Sequence, residues 1–300
     1  MSAPSAAQRA VLENPARIRV VRAAPGSGKT WLVAELIRRE LPTYSGGNGA
    51  IAALTFTKVG TEEIKRALNL QVDYPHFVGT LDAMLFRYVV RPFFQAIYQG
   101  HPAPRLIPAE WSPEFWSKRP GGKNWVVVVN DVPYHPFKLR FLGPGNGPSI
   151  IGQTGFGQNG AISLATCQQL LAHKKEIWRT LGWLTHSDAA YVACEFLHHP
   201  VYGDLIRDQI ASRFRLLVVD ELQDTGYYMG RCLQKLLAGQ VRGLLVGDPD
   251  QAIFEFNGAR PDLFNSFSEI AGATELPLAH SRRCPESVAL VGNAGRIVQR

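Results

Sequence analysis

A short stretch near the amino terminus has the residue types and the spacing needed to bind phosphate. It reads Ala23-Ala24-Pro25-Gly26-Ser27-Gly28-Lys29-Thr30. Its two glycines let backbone N–H groups curl around phosphate oxygens, and the helix that follows adds positive potential at its start. Lys29 can reach the β- and γ-phosphates, and the Thr30 hydroxyl can bind Mg²⁺. We therefore expect nucleotide contacts from Ala24 to Trp31. The alternative is an ordinary strand–loop–helix turn, since Ala23 replaces the first glycine of the pattern.

Two adjacent carboxylates form the second candidate for chemistry. Asp220 and Glu221 directly follow the apolar run Leu216 to Val219. A parallel sheet places its ligands at the carboxyl ends of its strands, which is where this pair would lie. We expect Asp220 to hold Mg²⁺, through water, and Glu221 to orient and activate the water that attacks a γ-phosphate. The alternative is a strand that ends in acidic surface residues.

Alternating strand and helix patterns position these motifs. Apolar runs predict strands at Ile18–Val21, Ala50–Phe56, His76–Gly79, Phe214–Val219 and Leu244–Val246. Helical patterns cover residues 6–13, Trp31–Arg39, Val59–Leu70 and Tyr227–Leu237, and a further helix begins at Thr80. Strands that alternate with helices predict an α/β fold with a parallel sheet and helices on both of its faces.

The middle of the chain differs from the rest in amino-acid composition. Residues from Arg91 to Pro120 are dense in Pro and Trp, and Gly143 to Gly160 is rich in Gly and Asn. Between them, Trp125–Val129 and Phe137–Phe141 are consistent with a β-hairpin. We predict a mixed α+β insertion at 88–210, with further helices at 165–178 and 187–198. It would interrupt a domain made of 1–87 and 211–276, and 277–300 would begin a second domain.

Composition narrows the class of protein. The 300 residues carry a formal net charge of +7, which allows a polyanionic partner without proving one. No stretch is long and apolar enough to span a membrane, and the start of the chain lacks the pattern of a signal peptide. The four cysteines are widely spaced, so we expect reduced thiols in a cytoplasmic protein with no membrane partner.

Six or seven motifs, in order from residue 8 to 285, resemble those of the UvrD/Rep-like superfamily 1 DNA helicases. Asp220-Glu221-Leu222-Gln223-Asp224-Thr225 resembles the second motif of that family. The segments that resemble the other motifs are Gln8, Leu54–Lys58, Gly79–Asp82, Val246–Ala259 and Leu278–Pro285, together with the phosphate loop. The resemblance covers nearly the whole chain except the insertion. It implies a RecA-like P-loop NTPase sheet that binds ATP and Mg²⁺.

The resemblance also implies roles at the ATP site. Gln8 would read adenine, since an amide can donate and accept hydrogen bonds at once. Gln251 would sense the γ-phosphate and relay its loss to the DNA groove. Arg283 would neutralise the charge that develops on the transferring phosphoryl group. Arg282 stands where the family usually has a tyrosine that stacks on adenine, and its guanidinium plane could stack instead.

Single-stranded DNA is the partner that the resemblance implies, together with duplex junctions. Its expected contacts are Phe56, Thr57, Lys58, Thr80, Phe254, Phe256 and Asn257. Aromatic side chains would be platforms for unpaired bases, although phenylalanines near strands more often lie in the core. A helix-capping threonine and a solvated lysine are the ordinary alternatives for Thr57 and Lys58. Asn257 replaces the usual arginine and Asp82 the usual histidine, so the coupling of DNA to ATP could differ here.

Three functions remain open from the sequence. The first is an ATP-dependent helicase or translocase that moves from 3′ to 5′ on single-stranded DNA and unwinds duplexes. The second is an ATP-gated DNA-binding regulatory subunit in a repair or phage-defence complex with a nuclease. The third is a P-loop ATPase unrelated to nucleic acid, against which the aromatic motif argues. Because the family motor needs two RecA-like domains, we expect the natural protein to continue past Arg300. Residues 1–300 alone should bind nucleotide but hydrolyse it poorly.

Overall fold

A computed structural model of the chain describes residues 3–47, 49–69, 72, 74–106, 114–118, 124–128, 172, 176, 178–184, 186–251 and 261–278. The chain divides into two compact units. The first consists of Met1–Met84 and Leu197–Arg300, and the second is Leu85–Phe196. Each unit is built around its own set of elements, and the first contains both chemical motifs.

The first unit begins with alternating helices and strands. They are α1 (Ala6–Glu13), β1 (Ile18–Ala23), α2 (Lys29–Glu40), β2 (Ala50–Thr55), α3 (Lys58–Leu68), β3 (Phe77–Thr80) and the short α4 (Leu81–Leu85). A 3-10 helix at Leu41–Gly47 follows α2. The predicted elements of this part are confirmed, with ends that differ by at most two residues from the expected ones.

The second unit is a mixed α+β insertion, as predicted. Its elements are a π-helical turn at Phe86–Val90, α5 (Arg91–Ile97), β4 (Arg105–Leu106), β5 (Glu114–Lys118), β6 (Asn124–Val128), β7 (Trp183–Leu184) and α6 (His186–Leu197). Strand β6 pairs antiparallel with β5, a strand that the sequence did not predict. The expected partner Phe137–Phe141, the Gly-rich 143–160 and most of the expected helix 165–178 lie outside the described residues.

The chain then returns to the first unit. This part holds α7 (Gly203–Arg213), β8 (Phe214–Val219), α8 (Tyr227–Leu237), β9 (Arg242–Gly247), α9 (Pro261–Ser268) and β10 (Ala273–Leu278). Neither α9 nor β10 was predicted. No helix in the ranges that the structure describes is long and apolar enough to cross a bilayer.

A six-stranded sheet forms the centre of the first unit. Its strand order is β10-β1-β9-β8-β2-β3, and every neighbouring pair is parallel. The central strands alternate between two buried faces. On one face Val21, Leu216 and Val246 pack with residues of α1, α2 and α3. On the other face, Val20 and Leu217 are also fully buried. Burial on both faces explains why these strands are rich in apolar residues, and the predicted α/β fold is confirmed.

The boundaries of the units differ from the expected 88–210 insertion. Helix α7 packs against β8 and α8, so it lies in the same unit as the sheet. At the other end, β10 is an edge strand that pairs with β1 from Ile18↔Ala273 to Ala23↔Leu278. Residues 277 and 278 therefore complete the first sheet, although the sequence placed them at the start of a second domain. Pro277 fits this position because an edge strand tolerates a missing N–H donor.

Aromatic side chains form a core in the second unit. The Phe94 ring is fully buried, and its centroid lies 5.3 Å from that of Tyr98, 6.0 Å from that of Trp178 and 6.2 Å from that of Phe196. These distances are typical of favourable aromatic pairs. The insertion thus has an apolar centre of its own.

Candidate functional site

The candidate site lies at the carboxyl ends of the central strands. Strands β1, β9 and β8 are neighbours in the sheet. The loop after β1 is the phosphate loop, Asp220 and Glu221 follow β8, and the turn that contains Gln251 follows β9. Parallel strands therefore bring segments that are far apart in sequence to one edge of the sheet. Four candidate DNA residues, Phe56, Thr57, Lys58 and Thr80, lie around the ends of β2 and β3, which are on the far side of β8 in the strand order.

The phosphate loop has the backbone that its glycines allow. Gly26 and Gly28 have φ values of +69° and +87°, in the left-handed region that favours glycine. A Cβ at Gly28 would lie 2.8 Å from Gln8 Nε2, so this position also lacks room for a side chain. Gly28 is the N-cap of α2, and no side chain caps the helix there. The first amides of α2 thus keep their capacity to bind an anion.

The centre of the loop also fits a phosphate ligand. Ala24 N donates to Leu278 O at 2.9 Å, and Ser27 N donates to Ala24 O at 3.2 Å, so the loop is tied to β10 and to itself. The Ser27 hydroxyl is buried and has no hydrogen-bond partner among the described residues. A buried hydroxyl without a partner is costly, and a phosphate oxygen would satisfy it. Pro25 is exposed, whereas Trp31 packs against the apolar core.

Gln8 lies beside this loop. It is fully buried, and its Nε2 donates to Ser27 O at 3.3 Å. Its other groups complete a capping box, since Gln8 N donates to Ser5 Oγ at 3.2 Å and Ser5 N donates to Gln8 Oε1 at 3.0 Å. The start of α1 therefore fixes the Gln8 amide against the phosphate loop, a position that is compatible with the predicted reading of adenine.

An ion pair connects the two chemical motifs. Lys29 Nζ lies 3.3 Å from Glu221 Oε2. Glu221 has φ +56° and ψ +46°, a left-handed conformation that is unfavourable for a residue with a side chain. This turn lets the chain fold back directly after β8, and the resulting geometry presents the Glu221 carboxylate to the lysine of the phosphate loop.

Asp220 is the more deeply buried carboxylate. Burial raises its pKa to about 7, and the charge of Glu221 adds to this effect, while the backbone N–H of Glu221 and Lys29 oppose it. Glu221 N donates to Asp220 Oδ1 at 3.0 Å. A buried carboxylate with a raised pKa gains from a nearby cation, and carboxylate and hydroxyl oxygens are ligands that Mg²⁺ prefers. The chemistry of Asp220 thus suits a magnesium ligand, and the roles of Asp220 and Thr30 in holding Mg²⁺ stay predictions. In the described part of the chain, no group of three or more His, Cys, Asp or Glu forms a metal site of protein ligands alone.

Two residues of the site were missed by the sequence analysis. A 3-10 turn at Leu222–Asp224 folds Gln223 and Asp224 back towards Glu221. Gln223 Nε2 donates to Glu221 Oε2 at 2.6 Å. Burial raises the pKa of Asp224 to about 6, with a further contribution from Glu221, and Lys29 lowers it. Both residues belong to the second motif, so their proximity in sequence to the acidic pair was the available signal.

Gln251 lies in a 3-10 turn at Pro249–Gln251, directly after β9. Its backbone N donates to Asp248 O at 3.0 Å, and Asp250 N donates to Asp248 Oδ1 at 3.2 Å. Asp248 is fully buried, and its own backbone N donates to Gln223 Oε1 at 2.9 Å. The turn that carries Gln251 is therefore attached to the acidic motif at the end of β8.

The candidate DNA residues of the described part lie around the ends of β2 and β3. Strand β2 ends at Thr55, so Phe56 lies just after it and is half-buried. Thr57 Oγ1 accepts from Gly60 N at 3.0 Å and caps α3, while Lys58 is exposed. Thr80 Oγ1 accepts from Ala83 N at 3.4 Å. Thr57 thus has the capping role that was its alternative to DNA contact, and the DNA roles of these residues stay predictions.

Five further predicted site residues lie outside the described residues. They are Phe254, Phe256, Asn257, Arg282 and Arg283. Their expected roles at the DNA and at the γ-phosphate rest on the sequence.

A family model matches the segments that carry the candidate site. The model of the UvrD/REP helicase N-terminal domain matches residues 5–99 and 153–271, which is well over half of the chain. The chain belongs to this family. The gap in the match falls in the insertion, and the matched parts contain the phosphate loop, the acidic motif and the turn with Gln251.

Curated relatives include proteins of several names. The chain is 24% identical to Gabija protein GajB of Bacillus cereus over 83% of this chain and 40% of that protein. It is 38% identical to ATP-dependent DNA helicase Rep of Salmonella typhimurium over 20% of this chain and 9% of that protein. It is 39% identical to an ATP-dependent helicase/nuclease subunit of Lactobacillus delbrueckii over 30% of this chain and 7% of that protein. The chain spans at most 40% of the length of these three relatives.

Proposed function

We propose that the protein containing this chain is an ATP-dependent DNA helicase that moves from 3′ to 5′ on single-stranded DNA. The observation that carries this proposal is the pairing of Lys29 with Glu221 at 3.3 Å, at the edge of the sheet where the phosphate loop and the acidic motif meet. Family membership supports the reaction class. The direction of movement and the unwinding of duplexes rest on the resemblance of the motifs.

Each residue of the site has a chemical task in ATP hydrolysis. The loop amides and the Ser27 hydroxyl bind phosphate oxygens, and Lys29 neutralises charge on the β- and γ-phosphates. Thr30 and Asp220 would hold Mg²⁺, which would neutralise charge on the phosphates. Glu221 orients the attacking water and accepts a proton from it. Gln8 recognises adenine through its amide.

Coupling to DNA follows from the order of the strands. The ATP residues lie at the ends of β1, β8 and β9, and the expected DNA residues Phe56, Thr57, Lys58 and Thr80 lie near the ends of β2 and β3. Both groups lie around the ends of strands of one sheet, which supports the proposal that a change at the γ-phosphate alters the DNA-binding loops. Domain closure on ATP, with a second motor domain and the arginines at 282 and 283, would convert this change into a step along the strand.

Glu221→Gln in the full-length natural protein tests the proposal. We expect single-stranded DNA to stimulate ATP turnover, and the variant to lose about 10²- to 10⁴-fold in turnover while it still binds ATP, because the proton acceptor is removed and the phosphate loop is left intact. A strand-displacement assay on substrates with opposite tails measures direction. Glu62→Gln, at an exposed glutamate on α3, is the matched control. Unwinding only from a 5′ tail, or turnover that DNA leaves unchanged, would contradict the proposal.

A second candidate is an ATP-gated DNA-binding subunit of a complex with a nuclease. The observation in its favour is the set of relatives named as subunits, which includes the helicase/nuclease subunit of Lactobacillus delbrueckii and RecBCD enzyme subunit RecB of Mycobacterium tuberculosis. The same assays separate the two candidates. ATP-dependent DNA binding with little turnover and no strand displacement supports the second candidate, which would act by changing the assembly or activity of a partner.

A further inference from the structure

Gln223 is buried between the two loops that carry the predicted chemistry. It is 4% exposed and has no charge of its own. Its Nε2 donates to Glu221 Oε2 at 2.6 Å, and its Oε1 accepts from Asp248 N at 2.9 Å. One side-chain amide therefore uses its donor on the acidic motif and its acceptor on the loop after β9.

The glycine at position 247 leaves room for the Gln223 side-chain amide to make both hydrogen bonds. A Cβ at Gly247 would lie 2.7 Å from Gln223 Oε1 and 3.0 Å from Leu222 N. Glycine at 247 thus lets the end of β9 approach the acidic motif closely enough for the hydrogen bond to Asp248 N. Among side chains of this length, only glutamine donates with one atom and accepts with another at neutral pH.

The contact continues into the turn that carries Gln251. Asp248 O accepts from Gln251 N at 3.0 Å, so the residue that donates its N–H to Gln223 also holds the start of the 3-10 turn. A displacement of Gln251 would be transmitted through the Asp248 backbone and the Gln223 amide to the Glu221 carboxylate. The path from Gln251 to Glu221 contains three hydrogen bonds of 2.6 to 3.0 Å and the planar side-chain amide of Gln223.

We propose that Gln223 is a positioning residue that orients Glu221 for attack on the γ-phosphate and links this orientation to the loop that carries Gln251. The inference rests on the proposed ATPase function of the same site. Without the amide, the Glu221 carboxylate would keep its pairing with Lys29 but lose the hydrogen bond from Gln223 that helps to fix its orientation. The ATP-bound state would then form normally and react slowly.

Three variants of the full-length natural protein test the two contacts separately. Gln223→Glu keeps an acceptor for Asp248 N and loses the donor to Glu221, whereas Gln223→Met loses both. Gln234→Glu is the control. Gln234 Nε2 also donates a part-buried hydrogen bond, at 2.7 Å to Ser266 Oγ, but its acceptor lies on α9 and belongs to neither chemical motif. We expect kcat to fall about 10- to 100-fold in both Gln223 variants, with the ATP dissociation constant within about threefold of the wild type.

A double variant shows whether Gln223 acts through Glu221. In the Glu221→Gln background, Gln223→Glu should change single-turnover hydrolysis by less than about twofold, because groups that act as a unit are not additive. A further loss of about 10-fold or more in that background would overturn the inference. So would a Gln223→Glu protein with the kcat of the wild type.

Hydrogen exchange at Asp248 tests the second contact without any need for turnover. The amide of Asp248 should exchange about tenfold faster in Gln223→Met than in the wild type, and within about threefold of the wild type in Gln223→Glu. Equal exchange in all three proteins would overturn the link. A wild type that hydrolyses no ATP would contradict the proposed function, and the exchange rates would still decide the contact between Gln223 and Asp248.

Discussion

At the residue scale, burial is the main influence on the acidic motif. Asp220 and Asp224 have pKa values raised to about 7 and about 6, each mainly by burial and then by Glu221. The charged form of a buried carboxylate is unfavourable in the free protein, and a bound cation would stabilise it. The site is thus built at a cost in stability that nucleotide and Mg²⁺ would offset.

The pH dependence of stability should report this cost. The pKa of Asp220 is about 7 in the folded protein and 3.8 as its ordinary value. The folded state therefore holds a proton that the unfolded state has released, and stability falls as the pH rises from about 4 to about 7. At about 1.4 kcal/mol per pKa unit, the effect amounts to a few kcal/mol.

Asp220→Asn removes this titration. Without Mg²⁺ and nucleotide, we expect the variant to gain stability relative to the wild type as the pH rises from about 4 to about 7. Urea unfolding at several pH values measures the difference. Asp250→Asn, at an exposed carboxylate of the same sheet edge, is the control. Parallel curves for the wild type and Asp220→Asn would refute the assignment.

At the element scale, Arg17 connects the segments that directly precede the three strands β1, β9 and β10. It directly precedes β1, and its Nη1 donates to Leu237 O, Gly239 O and Val241 O at 2.8, 2.9 and 2.9 Å. Its Nη2 donates to Ala271 O at 2.6 Å, just before β10. One guanidinium thus satisfies the carbonyls at the end of α8 and fixes the loops that lead into β9 and β10.

Arg17→Met should destabilise the first unit by about 2–4 kcal/mol, because it removes several charge-assisted hydrogen bonds and leaves carbonyls without a partner. Chemical denaturation measures the loss. Arg39→Met is the matched control, since Arg39 makes an exposed pair with Glu35 one turn away on α2, worth well under about 1 kcal/mol. Equal stabilities of the two variants would contradict the role given to Arg17.

At the scale of the whole molecule, the two units have separate apolar cores. The aromatic cluster of the insertion is centred on Phe94, and the sheet unit has buried phenylalanines of its own, such as Phe267. We propose that the insertion at 85–196 is stabilised independently of the nucleotide site.

Phe94→Ala and Phe267→Ala form a matched pair for this proposal. Each removes a fully buried ring, which typically costs about 3–5 kcal/mol. We expect Phe94→Ala to speed hydrogen exchange within 85–196 while the affinity for a fluorescent ATP analogue stays within about threefold. Phe267→Ala should instead speed exchange in the sheet unit. A loss of nucleotide affinity in Phe94→Ala as large as that in Phe267→Ala would show that the cores are not independent.

The central strands were predictable because they are buried on both faces, which makes apolar residues the majority in Phe214–Val219 and includes the unbroken run Leu216 to Val219. Strand β10 escaped prediction for the opposite reason. It lies at the edge of the sheet, its exposed residues are interspersed with half-buried ones, and it contains Pro277. Its place depends on pairing with β1, a contact between residues more than 250 positions apart.

The sequence by itself determined the phosphate loop, the acidic pair and the family, because each depends on residue types at short fixed spacings. The tertiary structure decided which of these groups meet. The 3.3 Å pairing of Lys29 with Glu221, the raised pKa of Asp220 and the double hydrogen bond of Gln223 all require strands β1, β8 and β9 to lie side by side. Distance, burial and electrostatic coupling between remote segments are set by the order of strands in the sheet, and no local pattern encodes that order.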